Sequence, residues 1–94
     1  EGAAIVACPC GHTFIRPYAA VIDRGTDVVV IRQDSMQVNG KKPEFQRGVT
    51  LTTKYWCEMG HEFDVKLYFQ KGNTFLLIEN YKPAGEEREA IWRD

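Results

Sequence analysis

The sequence predicts a small all-β domain built on an antiparallel sheet, and three observations carry that prediction. Val28-Val29-Val30-Ile31 is a run of β-branched side chains, whose crowding disfavours helix and suits a pleated surface. Residues 49–56 alternate strictly, with Val49, Leu51, Thr53 and Tyr55 on one side and Thr50, Thr52, Lys54 and Trp56 on the other. Residues 62–70 alternate again, setting Phe63, Val65, Leu67 and Phe69 against Glu62, Asp64, Lys66 and Gln70, with Tyr68 the exception. A repeat of two is the side-chain period of a half-buried strand.

The elements follow in order. Ala3 to Ala7 is a short apolar entry. Tyr18 to Asp23 is a candidate strand, closed by a turn at Arg24-Gly25. Thr26 to Gln33 is the strongest strand, and Met36 and Val38 continue the sheet briefly. Asn39-Gly40 predicts a hairpin turn, because both residues tolerate positive φ. Lys41 to Gly48 is polar and loop-like, punctuated by Pro43 and Gly48, with Phe45 as its anchor. The strands over 49–56 and 63–70 are followed by a reversal at Gly72-Asn73 and a return strand from Thr74 to Tyr81. Short connections between these last three imply an antiparallel meander. After Pro83, Glu86 to Asp94 combines helix formers with acids near the start, which predicts a short C-terminal helix. Such a helix needs docking by Ile91 and Trp92 to persist, and an extended tail pinned by Trp92 is the other reading.

Ninety-four residues predict one domain over 1–94, with a core thin enough for a bound metal to matter. Twelve basic against thirteen acidic residues give a net charge of −1, so the chain lacks the positive field of a general nucleic-acid coat. No apolar run approaches the ~20 residues that span a bilayer, and no signal-peptide pattern opens the sequence, so no membrane association is expected.

The chemistry lies in a near-repeat. Cys8-Pro9-Cys10-Gly11-His12-Thr13-Phe14 and Cys57-Glu58-Met59-Gly60-His61-Glu62-Phe63 both fit Cys-x-x-x-His-x-Phe, with Gly before His. All three cysteines and both histidines lie inside these copies. Thiolate sulfur and imidazole nitrogen are the donors zinc takes in tetrahedral sites, so two such turns brought together predict a Zn2+ centre. Five candidates compete for a site of usually four ligands. Internal symmetry favours Cys8, His12, Cys57 and His61; local chemistry favours Cys8, Cys10, Cys57 and His61. Cys57 and His61 stand first because the second copy offers nothing else. His12 is then the spare, placed to orient a ligand. Gly11 and Gly60 let the backbone turn before each histidine, and Phe14 and Phe63 are expected to shield the site. An odd cysteine count leaves a thiol over from any disulfide, either Cys8–Cys57 or Cys10–Cys57, whereas reduced thiols on a metal in the cytoplasm use all three.

The two turns resemble zinc-ribbon knuckles. Cys10-Gly11 matches the trailing Cys-Gly of such a knuckle and Cys57 a leading cysteine. Cys8 sits one residue too close and His61 one too far for the family's two Cys-x-x-Cys turns. The resemblance covers these short turns and their β-rich setting. It implies a ribbon-like structural module of the kind used in protein or nucleic-acid recognition.

Catalysis by a metal would need an open coordination position and a base, for which Glu58 or Glu62 are the nearest candidates. No His-Glu-x-x-His, deaminase or serine-nucleophile motif is present, so an enzyme is not expected. Arg16, Arg24, Arg32, Lys41, Lys42, Arg47 and Lys54, interleaved with Tyr18, Phe45, Tyr55 and Trp56, offer nucleic-acid binding as one role. Exposed strand edges and a Trp92 anchor favour a protein partner or an assembly role instead.

Overall fold

The computed structural model describes residues 2–40 and 49–91. Six strands form a single antiparallel sheet: β1 (Ile15–Asp23), β2 (Asp27–Ile31), β3 (Met36–Gly40), β4 (Thr50–Cys57), β5 (His61–Gln70) and β6 (Asn73–Pro83). Their order across the sheet is β3-β2-β1-β4-β5-β6, so β3 and β6 are the edges. Two three-stranded meanders are therefore joined at β1 and β4, which pair from Ile15↔Cys57 to Asp23↔Thr50.

The β1–β2 turn forms as the sequence predicts. Asp23 Oδ1 accepts from the Gly25 N–H at 2.9 Å, and Gly25 takes φ 84°. The next turn does not. Asn39 and Gly40 are extended residues of β3, paired with Val28 and Asp27, and Gly40 is not among the positive-φ glycines. The chain reverses instead at Arg32–Ser35, where the Arg32 N–H donates to the Ser35 carbonyl at 2.9 Å. That register sets Ile31 opposite Met36 and Val29 opposite Val38, keeping the apolar stripe continuous. The expected loop over 41–48 lies outside the described residues.

Cross-strand partners define the two faces. One carries Ala20, Ile22, Val29, Ile31, Met36, Val38, Leu51, Val65, Leu67, Leu76 and Ile78, with Ile15, Tyr55, Cys57, His61 and Phe63 at one end. The other sets Lys54, Glu62, Asp64, Lys66, Glu79 and Lys82 beside Val21, Val28, Val30, Phe75 and Leu77, and is laced with ion pairs. Lys54 and Asn80 both donate to Asp64 Oδ2, at 3.2 and 2.9 Å, and Lys82 lies 3.3 Å from Glu62. Asp64 and Glu62 are buried, so these partners offset a desolvation cost that either acid alone would not recover. Asn80 reaches Asp64 from a bulge, at φ 58°, a conformation that Asn tolerates better than most side chains.

No helix forms among the described residues, which corrects the expected C-terminal helix. From Ala84 to Ile91 the tail runs back across the charged face. Arg16 Nη1 meets Glu87 at 3.2 Å, Arg88 stacks 5.5 Å over the Tyr18 ring, and the Ile91 N–H donates to the Pro17 carbonyl at 2.8 Å. Ala90 is buried, as is Ala19 of β1 on the face the tail crosses. These tertiary partners outweigh the local helix preference of so short a segment. Residues 92–94, including the Trp92 anchor, lie outside the described residues.

Candidate metal centre

The two repeat copies fold into the same turn. In the first, the Gly11 N–H donates to the Cys8 carbonyl at 2.7 Å; in the second, the Gly60 N–H donates to the Cys57 carbonyl at 2.9 Å. Gly11 and Gly60 take φ 98° and 87°. The second turn is the three-residue connection between β4 and β5, with glycine at its left-handed position and Cys57 facing His61 across the ladder. A Cβ on Gly60 would meet no atom within 4 Å, so Gly60→Ala is expected to cost only backbone strain. That cost is about 1–2 kcal/mol, read as a lowered melting temperature.

Backbone contacts seat the turns together. The Glu58 N–H donates to the Phe14 carbonyl at 3.4 Å, and the Ala84 N–H donates to the Gly60 carbonyl at 2.8 Å. The result is a cluster of four side chains, Cys8, Cys10, Cys57 and His61, whose donor atoms lie within 4.8 Å of one another and which could hold a metal ion. Cys10 Sγ and Cys57 Sγ are 3.8 Å apart, far beyond a disulfide bond, and all three cysteines are free thiols.

Each sulfur also has an N–H aimed at it from two residues ahead. Met59 donates to Cys57 Sγ at 3.4 Å, Cys10 to Cys8 and His12 to Cys10. Such donors favour the thiolate over the thiol. The His12 N–H draws the exposed Cys10 thiol down to about 7. Burial dominates at Cys8 and pushes its thiol up to about 12. Among the described residues His61 Nδ1 is buried with no hydrogen-bond partner, and a metal bond through that atom would satisfy it. Soft donors, N–H-supported sulfurs and this orphaned nitrogen make the residues present a fit for a metal.

The core of the sheet is the wall of this site. Cys8, Cys57 and Phe63 form its buried apolar cluster, flanked by Ile15, Tyr55 and Val65. Phe63 stacks on Tyr55 with centroids 5.4 Å apart. Phe14, by contrast, is 68% exposed and shields nothing, which corrects the expectation drawn from the repeat. It lies before β1 rather than inside a strand, and its ring meets the edge of His12 at 5.8 Å. His12 is outside the ligand cluster but lines the same solvent opening as Cys10, Gly11, Met59 and His61. His12→Ala is therefore expected to keep metal stoichiometry unchanged, checked by elemental analysis of the purified variant. Tyr81 is a neighbour that the motif did not reveal, 5.2 Å from the His61 ring; its bulge-dependent register is not visible in the sequence. Burial, then the cysteine charges, raises its phenol.

Comparison with protein-family models, with curated proteins and with solved structures gave no match to this chain.

Proposed function

We propose that the chain is a structural zinc-binding domain that acts as a protein-interaction or assembly module. The observation that carries the zinc reading is the spacing of its donors. Zn–S bonds of about 2.3 Å at tetrahedral angles place two sulfurs about 3.8 Å apart. Cys10 and Cys57 stand 3.8 Å apart, and Cys8 and His61 complete three sulfurs and one nitrogen within 4.8 Å. Cys8, Cys10, Cys57 and His61 are the ligands in this reading, with His12 the spare. A filled four-ligand set leaves no position for substrate. Glu58 is tied to Arg16 at 2.9 Å, and Glu62 lies on the opposite face with Lys82, so neither stands ready as a base.

The partner reading rests on the surface. Arg16, Arg24 and Lys54 are each engaged by acids, which leaves little of the expected basic strip on the described residues. The apolar face keeps Met36, Val38, Leu51, Phe69, Leu76 and Ile78 exposed, which suits a protein partner better than a phosphate backbone. Three reduced thiols in the site suit a reducing compartment such as the cytoplasm. Verified chelation is expected to broaden the amide spectrum and lower the melting temperature, and zinc to restore both; an unchanged spectrum would count against this reading.

Acid should weaken the site. Metal displaces the Cys8 proton at any pH below about 12 and that of Cys10 increasingly below about 7. Affinity is therefore expected to fall on acidification, and more steeply below neutrality, in chelator-competition titrations from about pH 8 to pH 6.

A further inference from the structure

The apolar face of the sheet is larger than one chain can use. Among the described residues only its metal end is covered, where Cys8 packs on Cys57 and Phe63. Beyond that end, Val29 and Val38 continue across Ile22, Leu51 and Leu67 to Leu76. Val38 is 61% exposed and Leu76 66%, at opposite edges. The opposite face is partly covered by the tail and a set of ion pairs, with Phe75 and Leu77 left 41% and 40% exposed on β6.

Area argues for what covers the open face. The chain exposes 7079 Å², whereas a compact monomer of 10.8 kDa exposes about 5,500 Å². The excess, about 1,500 Å² over the whole chain, is more than the roughly 800 Å² that each partner gives to a standard interface. Charge argues for which partner. Among the described strand residues the only charge on this face is Asp27, at its rim, and Arg24 holds it at 3.1 Å. Two copies can therefore meet face to face without opposing like charges. An uncharged Val, Ile, Leu and Met surface is complementary to itself, as a two-fold interface requires.

We infer that this face is the interface between two copies of the chain, packed sheet on sheet as a β-sandwich. The inference rests on the assembly reading above and names its partner. In each copy the metal centre lies at one end of the sheet, so the ion fixes one end of the surface that the other copy receives.

Native mass spectrometry and sedimentation of the reduced, zinc-loaded chain test this, with Val38→Glu and Leu76→Glu as variants. Both positions are exposed in the single chain, so each variant keeps its fold and its zinc, measured in the same spectra. The expected result is a dimer for the parent chain and a monomer for each variant. A parent dimer that survives both substitutions would overturn the inference, because pairing would then use another surface. A parent monomer that still binds an apolar fluorescent dye on this face would overturn self-pairing and leave the interaction reading standing. A parent monomer that binds no such dye would sink both.

Discussion

Cys57→Ala is expected to abolish metal binding and to leave the chain without a stable fold. The side chain is fully buried, lies on Phe63, and its sulfur stands 3.8 Å from Cys10 Sγ. Two outcomes differ enough in size to separate the explanations. As a plain buried thiol, Cys57 contributes about 1 kcal/mol of apolar burial, and its loss would lower the melting temperature by a few degrees. As a ligand, it is part of a bond set worth on the order of 10 kcal/mol, comparable to the whole stability of a small domain. Thermal melts and amide spectra of the variant with zinc present decide between them. A folded, cooperative Cys57→Ala chain would make the thiol an ordinary core residue.

Phe63→Ala should be the second large effect. Phe63 is 1% exposed, stacks on Tyr55 and touches the cluster that holds Cys8 and Cys57. Removing a buried phenyl ring typically costs about 3–5 kcal/mol through lost transfer energy and the cavity left behind. The same void would admit water beside the sulfurs, so faster metal loss to a chelator is expected alongside the lower melting temperature. Phe14→Ala, at the matching position of the other copy, removes a ring that is 68% exposed. It should stay within about 0.5 kcal/mol of the parent chain. Equal effects at both positions would show that the repeat, rather than the packing, governs the site.

That asymmetry shows where the sequence was legible and where it was not. The strands of the second half could be read because each alternates under one partner, and the pairs Tyr55↔Phe63, Thr53↔Val65 and Leu51↔Leu67 fall in step. The cluster residues of the second copy were legible for the same reason: Cys57 and His61 face each other at the closed end of a hairpin. The first copy has no such ladder to its left. Whether Cys10 or His12 reaches the cluster depends on how its turn docks against β4 and β5, and spacing alone does not encode docking. Asn39-Gly40 misled for a related reason. Its residues permit a turn but do not require one, and the register of Val29 with Val38 holds them extended. At the C-terminus the same logic overrode helix propensity, because Arg88 and Glu87 found partners on Tyr18 and Arg16 across the sheet.

The claim beneath all of this is that sulfur and nitrogen from two distant stretches of the sequence, Cys8–Cys10 and Cys57–His61, bind one ion. Native mass spectrometry with elemental analysis of the reduced chain, joined to X-ray absorption at the metal edge, measures it most directly. The expected result is one zinc per chain in a shell of three sulfurs and one nitrogen. A chain that stays folded and metal-free after purification with zinc supplied, or a shell of light atoms alone, would contradict it.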